Sequence, residues 1–197
     1  MHDIKKIVDS TQKCQRNWDL SKGIPQEDID TLIYTATHMP SKNNRILFDL
    51  FYTTDRKLID SIYKISYNAD DSEHDEGSNS QMNANLLFMW FTNGADYGMD
   101  WREQERDQCT DFGISSGAVA LTANLMGYKT GFCQCQSPEE LNKIINVTNK
   151  EKIGAVLGIG YPMKDVPHNH SYHNGKLQSV RQSWSTKHPK QVKVRRL

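Results

Sequence analysis

The chain has 197 residues, and its 24 lysine and arginine residues balance 24 aspartate and glutamate residues, so the formal net charge is zero. This length predicts one domain over residues 1–197, because domains commonly hold about 50–250 residues. The balanced charge argues against a protein that binds nucleic acid through an overall basic field. The amino-terminal stretch lacks the apolar segment of a signal peptide, and four cysteines without such a signal predict free thiols and a cytoplasmic location.

Three helices and one strand are predicted in the first third of the chain. Apolar residues at helical spacing predict an amphipathic helix over residues 4–14. A second helix has Pro25 in its first turn and ends before Pro40, because the residue ahead of a proline is disfavoured in helical space. Residues 46–52, ILFDLFY, are rich in strand formers and predict a strand. Asp55 then predicts the cap of a third helix.

The middle of the chain alternates polar loops with apolar segments. Residues 68–80 are polar and acidic, which predicts a mobile surface loop. Residues 86–91, LLFMWF, are a continuous apolar run that predicts a buried strand. The loop over residues 93–104 carries Tyr97 and Trp101, which suit stacking on a planar ring, although such aromatics also anchor loops to a surface.

The stretch from Phe112 to Tyr128 has no charged residue and is rich in small residues. A helix that is apolar on nearly every face must be buried in protein or lipid. The stretch is shorter and more polar than a membrane span, which needs about 20 predominantly apolar residues. It therefore predicts a central buried helix that ends at Gly127, and residues 130–133 predict a short strand after it.

The last third of the chain predicts one helix, one buried strand and a basic segment. Ser137 begins a capping-box pattern for the helix. Residues 153–160, IGAVLGIG, predict a buried strand, and their glycines do not form a dinucleotide fingerprint because no helix follows. Residues 163–197 predict an extended basic carboxyl-terminal segment.

Two groups of residues are potential metal ligands. His168, His170 and His173 have no cysteine or carboxylate close by in sequence, which favours a solvated loop over a metal site. Cys133 and Cys135 are separated by one residue, whereas structural zinc sites usually separate paired cysteines by two to four residues. No metal is therefore expected.

Five segments resemble, in this order, motifs of the FMN-dependent nitroreductase family. They are Lys13-Cys-Gln-Arg16-Asn-Trp18, Pro40-Ser41 with Asn44, the central stretch from Asp111 to Phe132, Leu157-Gly-Ile-Gly-Tyr-Pro162 and Lys187-His-Pro. Each segment is degenerate, and the resemblance depends on their order along residues 4–192. The chain departs from the family pattern at Gln12, Cys14 and Ile46, where the family has arginine, serine and glutamine.

The resemblance implies an α+β fold with a central, mainly antiparallel sheet flanked by helices. It implies an intertwined homodimer that binds FMN at the subunit interface. It further implies an oxidoreductase that passes a hydride from NADH or NADPH through FMN to a nitro compound, a quinone or a similar small-molecule acceptor. The cofactor supplies the chemistry in such an enzyme, so no catalytic side chain is expected. Neither nucleic acid nor a membrane is an expected partner.

The resemblance also implies roles for individual positions. The positions that match phosphate-binding residues are Lys13, Cys14, Arg16 and Lys187. The positions expected to contact the flavin are Pro40, Ser41 and Asn44 from a loop, and Gln134 and Cys135 through backbone amides near the flavin N5. Tyr97 and Trp101 lie in the region that covers the substrate in the family. From residue pattern alone, a basic pair near a helix end is more often a solvated terminus, and a Pro-Ser pair more often a plain turn.

Three alternatives remain open at this stage. The same fold could perform another flavin chemistry, such as flavin fragmentation or dehalogenation, which residues 93–104 would decide. The substitutions at Gln12, Cys14 and Ile46 could indicate a degenerate protein that binds flavin weakly and acts as a binding or regulatory module. A nucleic-acid-binding module that uses the basic tail is the least favoured of the three.

Overall fold

Five α-helices and six strands form in the part of the chain that the computed structural model describes, which is residues 3–66, 79–92, 98, 100–134, 136–147, 152–173 and 176–179. The helices are α1 (Ile4–Thr11), α2 (Gln26–Thr37), α3 (Arg56–Lys64), α4 (Trp101–Leu125) and α5 (Pro138–Ile145). The strands are β1 (Phe48–Thr53), β2 (Leu86–Thr92), β3 (Lys129–Cys133), β4 (Ile153–Gly160), β5 (His170–His173) and β6 (Lys176–Ser179). Two short 3-10 turns cover Lys42–Asn44 and Ser80–Met82.

Four strands form an antiparallel sheet in the order β1-β2-β4-β3, and β5 and β6 form a separate hairpin. Strand β2 is central and is buried on both faces, which explains its continuous apolar sequence. Its residues that pack with α2 and α4 are Leu86, Phe88 and Trp90. Its residues that pack with α3 and α5 are Leu87, Met89 and Phe91. The α+β fold with flanking helices is therefore confirmed.

Helix α4 crosses one face of the sheet and ends where the sequence predicts. Gly127 adopts a φ of +96°, a left-handed conformation that glycine takes without steric cost, and the chain turns there into β3. Val119 and Ala123 are fully buried, but Gly113, Ile114 and Gly117 are exposed. The prediction of a helix buried on every side was therefore wrong for this flank, because the sheet and α2 cover only part of the helix surface in one chain.

The predicted helix caps at Asp55 and Ser137 are confirmed, since their side chains accept hydrogen bonds from the backbone N–H groups of Lys57 and Glu140. The predicted polar loop ends earlier than expected, because Asn79 and Ser80 are buried. The rest of that loop up to residue 78 lies outside the described residues. In the described ranges, every helix is too short or too polar to span a lipid bilayer.

A polar relay inside the core joins β2, α4 and α2. The Trp90 Nε1–H donates to Ser115 Oγ at 2.9 Å, and the Ser115 hydroxyl donates to the Ala36 carbonyl at 2.7 Å. All three residues are buried. One hydroxyl therefore satisfies both the indole of the central strand and a carbonyl in the last turn of α2.

Replacing Ser115 by alanine should lower the free energy of unfolding by about 1–3 kcal/mol, because a buried donor and a buried acceptor lose their partner. Urea denaturation at fixed protein concentration measures this loss. The matched control is Ser61→Ala, because Ser61 is exposed on α3 and donates to the Lys57 carbonyl of its own helix. An equal effect in both variants would contradict the relay.

Candidate functional site

An open cleft of about 1070 Å³ lies beside the first half of α4. The residues that line it come from α4, from the end of β2, from the end of β3 and from the start of β4. They are Thr92, Trp101, Gln104, Glu105, Gln108, Cys109, Phe112, Gly113, Ser116, Phe132, Cys133, Gln134, Lys152, Ile153, Gly154 and Ala155. The cleft forms because α4 begins well before the point at which it crosses the strands, so that its first turns overhang their ends.

Aromatic rings form much of the apolar wall of the cleft. Phe112 packs directly on Gly154, where a Cβ atom would overlap the ring, so only glycine lets the helix lie this close to β4. Trp101 and Phe132 line the same cleft and are 65% and 40% exposed. Exposed rings beside a concave site suit the binding of planar aromatic molecules.

Polar groups are placed around these rings. Gln134 donates from Nε2 to the Gly154 carbonyl at 2.6 Å and so ties the end of β3 to the start of β4. Gln104 and Gln108 lie one helical turn apart on the cleft side of α4, and Cys109 is exposed on the same wall. The structure therefore places two sequence-predicted residues, Trp101 and Gln134, in one cleft.

The segment after α1 lies against β3, on the border of the cleft. The Gln15 N–H donates to the Thr130 carbonyl at 2.9 Å, and a Cβ on Gly131 would come 2.6 Å from the Gln15 carbonyl oxygen. Gln81 donates from Nε2 to Cys14 Sγ at 2.8 Å and to the Phe132 carbonyl at 2.8 Å. The predicted phosphate-binding segment is thus fixed next to Phe132 of the cleft.

Arg16 has a buried Nη1 atom for which the described residues supply no hydrogen-bond partner. The positive charges near it affect each other. Burial, followed by the charge of Lys13, lowers the pKa of Lys129. Burial, followed by the charges of Lys13, Arg16 and His170, lowers the pKa of His168. This edge of β3 is therefore a local basic cluster in a chain with no net charge.

The predicted loop residues Pro40, Ser41 and Asn44 do not line this cleft. Their loop is held on α4 by an ion pair between Lys42 Nζ and Asp107 Oδ2 at 3.4 Å, and by a hydrogen bond from the Leu47 N–H to Asp111 Oδ2 at 3.4 Å. Burial is the first cause that raises the pKa of Asp111. One chain alone therefore does not bring this loop to the cleft.

Ser41 Oγ is buried and lacks a partner within the described parts of the chain. Asn43 and Asn44 follow it with φ values of 55° and 56°, in the left-handed region. Asparagine occupies this region more readily than most residues other than glycine. The exposed side chains of Asn43 and Asn44 are therefore presented on a sharply turned segment.

Sequence motifs that are far apart in the chain converge where β3 begins and β4 ends, at the end of these strands opposite the cleft. Trp18 pairs with Pro162 in an isolated β-bridge, and the Asp19 N–H donates to the Tyr161 carbonyl at 2.8 Å. Tyr161 packs against Tyr128 with ring centroids 5.1 Å apart. Three of the five resembling segments thus form one contiguous structure.

Several cleft residues were missed by the sequence interpretation. Gln104, Gln108, Phe112 and Ser116 recur every four residues, so a helical projection of the whole of α4 would have placed them on one face. Phe132 and Lys152 carry no such signal, because their place in the cleft depends on the pairing of β3 with β4. Three predicted site residues, Cys135, Lys187 and Tyr97, lie outside the described residues.

No protein-family model and no curated protein sequence matches the chain. Solved structures do match it. A proposed NAD(P)H:FMN oxidoreductase from Staphylococcus epidermidis has a TM-score of 0.70 at 17% identity, and the match covers 90% of this chain and 93% of that one. A nitroreductase family protein from Clostridium novyi has a TM-score of 0.69 at 15% identity, covering 85% and 91%.

An FMN-dependent nitroreductase from Clostridium difficile has a TM-score of 0.63 at 14% identity, and the match covers 84% of this chain and 91% of that one. The chain has the fold of nitroreductase family proteins. The resemblance to the nitroreductase family that the sequence motifs indicate is thereby confirmed at the level of the fold.

Proposed function

We propose that the protein is an FMN-dependent oxidoreductase of the nitroreductase type, which passes a hydride from NADH or NADPH to a nitro compound, a quinone or a similar acceptor. The observation that carries this proposal is the cleft, whose aromatic walls border the basic cluster at β3. The names of the similar structures support it, since they include an FMN-dependent nitroreductase and a proposed NAD(P)H:FMN oxidoreductase. A cytoplasmic location belongs to the same proposal.

The residues present fit a phosphorylated flavin. The cleft volume of about 1070 Å³ slightly exceeds the common range of ligand sites, about 300–1,000 Å³, and is large enough for a flavin. The buried, unpartnered Arg16 Nη1 would gain a charge-assisted hydrogen bond from a phosphate. FMN, when bound, would supply the hydride chemistry.

In this proposal, residues of the chain bind the flavin phosphate, face the reactive edge of the flavin and cover the acceptor. Lys13 and Arg16, with Lys187 from the tail, hold the phosphate, and Cys14 lies against it. The backbone at Gln134 and Cys135 faces the reactive edge of the flavin. Trp101, with Tyr97, closes over the acceptor and limits the access of water.

The proposal includes a homodimer, in which Pro40, Ser41 and Asn44 of the partner subunit complete the site. Two observations support it. The α4 flank at Gly113, Ile114 and Gly117 is exposed although its sequence is uncharged, and Ile114 is 37% exposed. Pro40 and Asn44 are exposed, and the Ser41 hydroxyl between them has no hydrogen-bond partner within the described parts of the chain, so this loop has polar groups left for contacts with a second subunit.

An absorbance spectrum of the purified protein tests the central proposal. A flavin band in the visible range, or one that appears after addition of FMN and removal of excess, is expected. Bleaching of this band by NADH or NADPH under anaerobic conditions, and its return with a quinone, would establish the two half-reactions. A protein that stays colourless with excess FMN would contradict the proposal.

Arg16→Ala should weaken FMN binding roughly tenfold or more, because a charge-assisted contact contributes about 1.5–3 kcal/mol. Lys187→Ala should act in the same direction. Riboflavin affinity should not change, since riboflavin has no phosphate. The control is Lys57→Ala, whose side chain is exposed on α3. Unchanged FMN affinity in both site variants would remove the phosphate assignment.

Replacing Tyr97 and Trp101 together by alanine should raise KM for the acceptor severalfold, because loss of two rings removes the stacking surface. Flavin content and flavin reduction by the nicotinamide should be nearly unchanged, which stopped-flow measurements of the two half-reactions can separate. Loss of the flavin would place these aromatics in the cofactor site instead. Unaltered acceptor kinetics would show that they are only surface groups.

Sedimentation should show a species of twice the 22.6 kDa of one chain at micromolar concentration. Ile114→Glu should shift it to the monomer, because a charge on the exposed α4 flank would be buried without a partner. Lys57→Glu changes charge on α3, which covers the opposite face of the sheet, and should leave the dimer intact. A folded monomer for the unaltered protein would contradict the dimer.

A further inference from the structure

Two pairs of cationic or titratable groups meet beside Lys129 at the edge of β3, and the pairs come from distant parts of the chain. Lys13 and Arg16 precede Trp18, whereas His168 and His170 follow β4. Burial of His168 lowers its pKa below 6.5. The nearby charges of Lys13, Arg16 and His170 lower this pKa further. The histidine segment therefore belongs to the basic cluster.

Hydrogen bonds fix the histidine segment in this place. The Arg16 N–H donates to the His168 carbonyl at 2.9 Å. The buried Asn17 side chain donates from Nδ2 to the Pro167 carbonyl at 2.6 Å and to the His170 carbonyl at 3.1 Å. The expectation of a solvated loop around His168 and His170 was therefore wrong, because Asn17 replaces water as the partner of this backbone.

No carboxylate of the described residues compensates these charges. The ion pairs found among those residues involve other cations, which are Lys6, Lys22, Lys42, Arg56 and Arg106. The buried Arg16 Nη1 lacks a partner within the same parts of the chain. Like charges that are held together around an unsatisfied buried donor favour the binding of an anion, which relieves the repulsion and pairs the donor.

We propose that His168 is a phosphate-binding residue of this cluster and that it makes the preference for a phosphorylated flavin over riboflavin depend on pH. This inference rests on the proposed flavin site. The sequence pattern does not assign this role, since the family resemblance places the basic position of the tail at Lys187. Histidine differs from the lysine and arginine of the cluster, because it binds a phosphate strongly only in its protonated form.

The direction of the pH dependence follows from proton counting. A phosphate monoester has a second pKa of about 6, and the pKa of free His168 is lowered from 6.5. Above both values the free partners carry no proton on these groups, whereas the complex gains from one proton shared between imidazole and phosphate. Binding therefore takes up a proton, and affinity falls as pH rises. The charged or titratable groups that act on His168 are Lys13, Arg16 and His170.

The experiment measures the ratio of FMN affinity to riboflavin affinity by fluorescence titration of the full-length protein between pH 6.5 and 8.0. The ratio cancels effects of pH on the flavin ring and on protein stability. In the unaltered protein it should fall roughly tenfold over this range. In His168→Gln the ratio should be lower at pH 6.5 and should change by no more than about twofold up to pH 8.0, since arginine and lysine side chains do not ordinarily titrate in this range.

Two further variants separate the role of the imidazole from a structural role. His168→Lys should keep the preference for FMN but lose its pH dependence, because lysine carries a permanent charge at these pH values. His38→Gln should keep the slope of the unaltered protein, because His38 is exposed at the end of α2 and stacks on Tyr34. Folding should survive all of these changes, since the carbonyl of His168, not its ring, makes the fixing contact.

The inference would be overturned if the affinity ratio of the unaltered protein did not change with pH. It would also be overturned if the ratio in His168→Gln changed with pH as steeply as in the unaltered protein. The proposed function would stand in both cases. If neither flavin binds, the proposed function fails, and NMR titration of the imidazole Cε1–H signals with added sodium phosphate decides the inference separately. A rise in the pKa of His168 on addition of phosphate supports the anion site. An unchanged pKa overturns it.

Discussion

The close contact between the amino-terminal segment and β3 is the constraint on which the candidate site depends. Gly131 has no side chain, so the backbone at Gln15 can lie directly on the strand and donate a hydrogen bond to Thr130. This contact places Cys14 beside Phe132 of the cleft and fixes Arg16 two residues further along the edge of β3. It also places Asn17 where it binds the backbone of residues 163–170. Because Gly131 has no Cβ atom, the segment with the basic residues can lie next to the strand that leads into the aromatic cleft.

Helix α4 separates two surfaces that one chain cannot join. One side of the helix faces the cleft through Gln108 and Phe112. Asp107 and Asp111, each one residue earlier, instead hold the loop that carries Ser41. An α-helix turns by about 100° between successive residues, so neighbours in sequence serve different sites. In the proposed dimer, a second copy of the chain would supply one of these two surfaces.

Much of the architecture follows from local sequence. Strand β2 was predicted because a strand buried on both faces must be apolar throughout, and the caps at Asp55 and Ser137 because short polar side chains satisfy free N–H groups. The exposed flank of α4 could not be predicted, since hydrophobicity does not tell which surface is covered by the same chain. The place of His168 could not be predicted either, because it depends on the side chain of Asn17, about 150 residues earlier.

The position of Cys109 has a practical consequence for work on this protein. Its thiol is free and exposed, and the residue lies on the wall of the cleft, whereas Cys133 on the other wall is buried. A bulky maleimide would therefore react with Cys109 in preference to Cys133. Any molecule that fills the cleft would slow this alkylation, and a colourless ligand would then be detectable without an optical signal of its own. Occupancy of the cleft thus becomes measurable by mass spectrometry of the peptide that carries Cys109, which separates its alkylation from that of the other cysteines.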